Sequence, residues 1–141
     1  RDVLEVRRAL EELAIELACQ RMSEEEVGNL QKAQEDFKKA IAEGDAMKIA
    51  ETDEHFHDVI YEGTQNAKLI QMLNNLREQM YRYRLEYIKD EDKRKILVLE
   101  HEKILKTVRE RKVAEAKEAV REHIDNQEIT VARNITEKEN A

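Results

Sequence analysis

Residues 44–63 read GDAMKIAETDEHFHDVIYEG, a stretch between two glycines whose apolar spacing decides the fold class. Asp45 is a good N-cap, and glycine is common just beyond the last turn of a helix. Three apolar side chains recur at helical spacing on one face, at Ile49, Phe56 and Ile60. The stretch therefore predicts an amphipathic helix over residues 46–62 that packs against other helices.

The rest of the chain repeats this pattern of apolar stripes and helix caps. Ser23 and Glu26 form a capping box, and Asn66 is a good N-cap for a later helix. Composition agrees, because 141 residues include no proline, three glycines and only 4% aromatic residues, too few for strands and their turns. The short connections favour antiparallel neighbours. Six helices are predicted, over residues 2–20, 24–43, 46–62, 67–88, 92–110 and 112–134.

The boundary between the last two helices is weakly marked. No Gly, Pro, Asn or Asp lies between Leu105 and Val120. An unbroken helix over residues 92–134 would be about 65 Å long at 1.5 Å per residue, which is too long for a globule of this size. We therefore expect a break near Arg111. Residues 1–141 are predicted to form a single all-α domain, an antiparallel bundle of six or seven helices.

Charge and cysteine content exclude several classes of protein. The net charge is −7 and no run of Lys or Arg occurs, which argues that this chain does not itself bind DNA or an anionic membrane. No apolar stretch approaches the ~20 residues that span a bilayer. The single Cys19 cannot form an intrachain disulfide, which favours a reducing, cytoplasmic setting. Its place on an apolar helix face predicts that it packs in the core. Because the chain opens at Arg1, we expect a fragment of a longer protein.

The first helix offers its own apolar stripe. Five aliphatic residues recur at spacings of three or four, and they predict the face that this helix buries: Val3, Val6, Leu10, Leu13 and Leu17.

Four polar residues interrupt the apolar stripes of the other helices. Asp53 and His57 are one turn apart in the third helix, His101 lies in the fifth and His123 in the sixth. The fourth histidine, His55, lies off the stripe and is predicted to be exposed. All four interruptions fall near the middle of their helices, which share a level in an antiparallel bundle. The four side chains are therefore able to converge on one point.

Burial of four unsatisfied polar groups costs several kcal/mol, so something must compensate. One interpretation is a hydrogen-bonded core network or a buried His–Asp pair. The other is a metal site, since one Asp and three His are a familiar ligand set for Zn²⁺, Ni²⁺, Mn²⁺ or Fe²⁺. Spacing alone leaves both open.

Several segments, in their order and spacing, resemble one known family over about residues 2–130. They are Glu5-Val-Arg-Arg-Ala-Leu-Glu11, Asp53-Glu-His-Phe-His57, the helix start at Asn66, Glu100-His101 and His123-Ile124. The family is the FCD domain, the C-terminal effector-binding domain of FadR-type GntR transcription regulators. The resemblance implies a bundle of six or seven helices that dimerises. It also implies an N-terminal winged helix that binds operator DNA, which this chain lacks.

The resemblance further implies one divalent metal ion per chain, zinc in the first place, with nickel, manganese, iron or cobalt as alternatives. The positions that match its ligands are Asp53, His57, His101 and His123. In the family, the metal and nearby arginines bind the carboxylate of a small metabolite effector. Arg7 matches the arginine of the opening motif. Two arginines among apolar positions of the fourth predicted helix are further candidates, Arg77 and Arg84.

The resulting hypothesis is a metal-dependent sensor of a small carboxylate and a homodimerisation domain, with neither catalytic activity nor a membrane partner. One alternative is a helical-bundle metalloenzyme that uses a metal-bound water, although the sequence offers no positioned general base beyond the ligands. A second alternative is a purely structural interaction bundle with a buried polar network, which would bind no metal.

Overall fold

The structure, a computed structural model, describes the backbone of residues 2–140 and the side chains of residues 2–133. Over that range the chain forms an all-α bundle, as predicted, with seven helices joined by short turns. None of the described helices is long and apolar enough to cross a membrane. The helices are α1 Asp2–Arg21, α2 Glu24–Glu43, α3 Ala46–Gly63, α4 Ala67–Asn75, α5 Arg77–Lys89, α6 Glu91–Arg109 and α7 Val113–Asn140.

The predicted caps set the ends of α2 and α3. The Ser23 side chain accepts from the Glu26 N–H at 3.1 Å, and the Glu26 carboxylate accepts from the Ser23 N–H at the same distance. Gly44 ends α2 in the left-handed region, with φ 77°. Asp45 then accepts from the Met47 N–H at 3.0 Å and opens α3. Local sequence therefore fixes the helix that carries Asp53 and His57.

The single helix predicted over residues 67–88 is wrong, because the chain bends at Leu76 and forms α4 and α5. Leu76 has φ −99° and ψ 1°, and its N–H donates to the Leu73 carbonyl at 3.1 Å. Neither Gly nor Pro marks the bend. It follows from packing, since α4 lies on α1 and α3 whereas α5 lies on α3, α6 and α7.

The predicted break near Arg111 is confirmed. Arg111 adopts φ 60°, a conformation that costs a non-glycine residue free energy. Its guanidinium donates to the Cys19 carbonyl at 3.1 Å and to the Glu24 carboxylate at 3.2 Å. These long-range hydrogen bonds offset the backbone strain and turn α7 back along the bundle.

The buried face of α1 differs from the predicted stripe. Leu10 and Leu17 are buried, but Val6 is 46% exposed and Leu13 is 40% exposed. Arg7 and Glu11 are buried in their place, at 1% and 4% exposure. The prediction was wrong because it followed hydrophobicity alone, whereas α1 turns two charged side chains toward the interior.

Cys19 is buried in the larger apolar cluster of the core, as predicted. Burial raises the pKa of its thiol to about 11. At neutral pH the thiol is protonated, and it acts as a small apolar side chain.

Candidate metal and ligand centre

Three helices bring four polar side chains together in the middle of the bundle. Asp53 and His57 project from α3, His101 from α6 and His123 from α7. None of the four side chains is more than 3% exposed. His55 is exposed, as predicted. The mid-helix positions therefore do share one level of the core.

The ligand atoms of this cluster gather around one point. One ligand atom from each of the three histidines lies within 4.8 Å of the others. The Oδ1 atom of Asp53 lies 2.8 Å from His101 Nε2 and 3.4 Å from His57 Nε2. Two ligands held at about 2.1 Å from one ion, at angles between 90° and 110°, are about 3.0–3.4 Å apart. The two separations from Asp53 are close to that range, whereas the histidine atoms, at up to 4.8 Å from one another, would have to move closer together to share one ion.

Hydrogen bonding does not explain the cluster. Among the described residues, neither carboxylate oxygen of Asp53 has a hydrogen-bond partner, and nor does the Nε2 atom of any of the three histidines. Asp53 Oδ1 and His101 Nε2 lie 2.8 Å apart, but this contact is not one of the hydrogen bonds of the structure. Buried polar atoms are rarely left in this state, because each costs about 1–3 kcal/mol. Five such atoms facing one another fit a cation better than a polar core network.

The Nδ1 atoms of two of the histidines, on the side of the ring away from the cluster, have hydrogen-bond partners. His101 Nδ1 lies 3.0 Å from the Gln34 amide oxygen, and His123 Nδ1 lies 3.2 Å from Glu100 Oε1. An acceptor at Nδ1 places the ring proton there and leaves Nε2 as a lone-pair donor. Both rings are thus oriented as metal ligands.

Glu100 is itself fixed by two neighbours. Asn126 donates to Glu100 Oε2 at 2.9 Å, and the Tyr87 hydroxyl donates to Oε1 at 3.4 Å. Tyr87 and Asn126 also line a surface cavity of about 130 Å³ between α5, α6 and α7. Glu100 therefore links His123 to two residues that line this cavity.

The protonation states suit a cation as well. Burial favours a neutral Asp53, but the adjoining His101 and His57 rings outweigh it and hold the pKa of the carboxyl well below its usual value. Burial lowers the pKa of His57 well below its usual value, Arg84 adds to this effect, and burial also lowers the pKa of His101. At neutral pH Asp53 is a carboxylate and the His57 and His101 rings are neutral, the forms that bind metals.

Two of the three predicted arginines lie beside the cluster. Arg84 and Arg7 are each 1% exposed. Arg84 Nε lies 3.5 Å from Asp53 Oδ2, and its Nη2 lies 3.4 Å from the Tyr61 hydroxyl. Arg7 Nη2 donates to the Gln127 amide oxygen at 2.9 Å. The interior thus holds two guanidinium groups beside the candidate metal ligands.

The buried Glu11 carboxylate affects the pKa values of the buried guanidinium groups of Arg7 and Arg84. The Tyr61 hydroxyl donates to the buried Glu11 carboxylate. Burial lowers the pKa of Arg7, an effect that Glu11 opposes and Arg84 reinforces. Arg7 remains charged at neutral pH because arginine ionises so far above it.

Arg77 lies elsewhere. It is the first residue of α5, its side chain is 36% exposed, and it forms ion pairs with Glu54 and Asp58 on the outer side of α3. The distance to Asp58 is 2.9 Å. The structure does not bring Arg77 to the four candidate ligands.

Sequence reasoning assigned no role to several polar residues of the centre, namely Gln34, Glu11, Tyr61, Glu100 and Gln127. The signal for two of them was present, because Gln34 and Gln127 interrupt apolar faces just as the histidines do. No comparable signal marked Glu100, since it lies at the edge of the buried face of α6.

Comparison with known proteins places this centre in a family. The FCD domain matches residues 2–126. The chain is 26% identical over 126 residues to an uncharacterised HTH-type transcriptional regulator of Bacillus subtilis (strain 168), YdhC, covering 89% of this chain and 56% of that protein. The chain thus spans little more than half the length of that relative.

A solved structure shares the fold. E. coli McbR/YncC superposes with a TM-score of 0.82 at 18% sequence identity, over 94% of this chain and 67% of that chain. The domain match covers most of the sequence, including all four candidate metal ligands. The chain belongs to the FCD domain family.

Proposed function

We propose that this chain is the effector-sensing and dimerisation domain of a GntR/FadR-type transcription regulator that works in the cytoplasm. FCD membership and similarity to an HTH-type regulator support the proposal. Operator DNA is bound by an N-terminal winged-helix domain outside this sequence. The acidic balance of this chain, −7, suits a sensor whose DNA-reading part is separate.

The sensor holds one divalent metal ion per chain at Asp53, His57, His101 and His123. The observation that carries this proposal is the set of buried ligand atoms without hydrogen-bond partners in the described part of the chain. Zinc is the first candidate, and nickel, manganese, iron and cobalt accept the same donor set. When bound, the ion supplies a positive centre that attracts a carboxylate oxygen.

The effector is a small metabolite with a carboxylate group. Arg7 and Arg84 support this proposal, because both guanidinium groups are buried beside the candidate ligands. Guanidinium groups match carboxylates in charge and shape. Arg77 takes part only when its ion pairs with Glu54 and Asp58 open, so we rank it below the other two.

The domain acts as a homodimer, and effector binding shifts the balance between two arrangements of its subunits. A ligand shifts such a balance only through a difference in affinity for the two states. The centre draws on α1, α3, α5, α6 and α7, so a ligand there contacts most helices of the bundle.

Neither alternative is favoured. The FCD family is regulatory and non-enzymatic, which excludes the metalloenzyme. A structural bundle with a buried polar network would pair its polar atoms, whereas five ligand atoms of this cluster have no such partner among the described residues.

Metal analysis tests the site. Chain purified without chelators is expected to contain about one divalent ion, measured by inductively coupled plasma mass spectrometry. His101→Ala and His123→Ala should each lose most of the bound metal, because each variant keeps only three of the four ligands. His55→Ala is the matched control, since His55 is exposed and off the cluster. Unchanged metal content in both site variants would refute the assignment.

Operator binding tests the regulatory role in the full-length protein. His57→Ala should weaken the effector-dependent change in operator affinity, measured by fluorescence anisotropy at fixed salt concentration. A response equal to that of the unaltered protein would contradict metal-mediated sensing.

A further inference from the structure

The wall of the centre next to His123 presents hydrogen-bond donors that no described residue accepts. They are Nε and Nη1 of Arg7 and Nε2 of Gln127, and Nε of Arg84 also makes no hydrogen bond, although it lies 3.5 Å from Asp53 Oδ2. All three side chains are at most 2% exposed. These nitrogens only donate, because neither a guanidinium nor an amide nitrogen has a lone pair to offer.

Two of these donors lie together beside the proposed metal site. Gln127 follows His123 by one turn of α7, so both side chains lie on the same face. Arg7 donates to the Gln127 amide oxygen at 2.9 Å, which fixes the amide and leaves its Nε2 as the free donor. Arg7 and Gln127 therefore form a donor pair one helical turn from a candidate ligand. We call this pair the Arg7–Gln127 subsite.

The acceptors of the same wall are already used. The Gln127 amide oxygen accepts from Arg7, the Tyr61 hydroxyl accepts from Arg84, and Glu11 accepts from Tyr61. Asp53 and the histidine Nε2 atoms face the metal. A ligand must therefore bring acceptors at the end that points away from the metal.

Hydrogen bonding, more than net charge, favours a second carboxylate at that end, because a guanidinium beside an amide donor matches the two oxygens of a carboxylate. The two buried guanidinium groups of Arg7 and Arg84 balance the buried carboxylates of Glu11 and Asp53. A divalent ion adds two positive charges, and Glu100, at the rim with a side chain 10% exposed, offsets only one of them. One carboxylate on the metal uses the remaining charge but leaves the Arg7–Gln127 subsite without an acceptor.

We propose that the effector is a small dicarboxylate, with one acid group on the metal and the other on the Arg7–Gln127 subsite. This inference rests on the proposed metal site and narrows its ligand class from carboxylates to diacids. A monoacid of the same length buries a methyl group against Arg7 and Gln127 and leaves their donors unpaired. Sites built to hydrogen-bond a group discriminate strongly against analogues that lack it.

Matched pairs of acids test the proposal by isothermal titration calorimetry on the zinc-loaded chain at pH 7.5. The pairs are malonate with propionate, succinate with butyrate and glutarate with valerate, so that chain length is constant within each pair. At least one diacid is expected to bind about tenfold more tightly than its monoacid, or better.

Gln127→Glu assigns the preference to the subsite. The glutamate side chain keeps the length of glutamine and still accepts from Arg7, so the fold is retained, but it offers no donor and repels a second acid. The diacid preference should vanish, because the added charge weakens the diacid, whose second acid group meets it directly, more than it weakens the monoacid. Gln71→Glu, at an exposed position of α4, is the control for added charge.

The outcomes separate this inference from the proposed function. Loss of the preference in Gln127→Glu alone supports the subsite. Equal binding of each diacid and its monoacid overturns the inference and leaves the carboxylate sensor intact. A preference that survives in Gln127→Glu also overturns it. Zinc loading without binding of any acid refutes the carboxylate effector itself, and absence of zinc binding refutes the metal site.

Discussion

The carboxylate of Asp53 and the imidazole of His101 meet at 2.8 Å, although the backbones of the helices that carry them do not approach each other closely within the described part of the chain. Asp53 comes from α3 and His101 from α6, and both side chains are fully buried. Their contact is therefore made across the interior by side chains alone. An ion between them would join α3, α6 and α7 at one point.

Metal removal should lower stability for this reason. An ion that binds only the folded chain adds about 4 kcal/mol when present at a thousand times its Kd. For a chain of this size, we expect EDTA to lower Tm by about 10 °C, measured by circular dichroism. His57→Ala should melt at nearly the same temperature with and without EDTA. Equal melting of the unaltered chain in both conditions would contradict a structural metal.

Glu100 should tune metal affinity without touching the metal. It holds the Nδ1 side of His123, and partners at that position typically change metal affinity about tenfold or more. Glu100→Gln keeps the length and an accepting oxygen but loses the charge, so we expect zinc affinity to fall by about tenfold. Competition with a fluorescent zinc chelator measures it.

Glu122→Gln is the control for that measurement. Glu122 adjoins His123 in sequence, but its side chain is 57% exposed and pairs with Lys103. The zinc affinity of Glu122→Gln should equal that of the unaltered chain. A similar decrease in both variants would show a general charge effect and no role for the Glu100–His123 contact.

The candidate ligands could be predicted from the sequence because they are polar residues at helix positions that are normally apolar. Asp53, His57, His101 and His123 occupy positions where helical periodicity demands apolar side chains, and a short loop near Arg111 places the last two at one level. A polar residue at such a position can be recognised from the sequence alone, because the neighbouring apolar residues define the buried face of the helix.

The same reasoning failed on α1, where the apolar stripe does not coincide with the buried face. Arg7 and Glu11 are buried because each has a hydrogen-bond partner on another helix. The Gln127 amide oxygen on α7 accepts from Arg7, and the Tyr61 hydroxyl on α3 donates to Glu11. Hydrophobic periodicity predicted that Val6 and Leu13 would be buried, because it contains no information about hydrogen-bond partners that are distant in sequence. The bend at Leu76 was missed for a related reason, because packing imposes it and no local residue marks it.

Two glycines should respond in opposite directions to the same substitution. Gly28 lies inside α2 with open space around an added Cβ, whereas Gly44 has equally open space but φ 77°. Gly28→Ala should raise the free energy of unfolding by about 0.5–1 kcal/mol, since alanine is the better helix former. Gly44→Ala should lower it by about 1 kcal/mol, because its cost is backbone strain. Urea unfolding measures both, and a change of the same sign would contradict the assigned backbone conformations.

Acid should destabilise the metal-free chain, and the buried cluster sets the pH range. The pKa values of His57 and His101 are lowered by burial from about 6.5, so below that pH the unfolded chain binds more protons than the folded chain. The free energy of unfolding must then fall as pH decreases. The lowered pKa of Asp53 has the same sign and extends the loss below about pH 4.

Urea unfolding of EDTA-treated chain between pH 8 and pH 5 checks this expectation. Stability should be nearly constant from pH 8 to 7 and decline from pH 6.5 downward. His57→Asn removes one of the titrating groups and should make the decline shallower, whereas His55→Asn should leave it unchanged because His55 is exposed. Stability that stays level down to pH 5 would mean that the histidines protonate freely in the folded chain, which is incompatible with a cluster buried as His57 and His101 are.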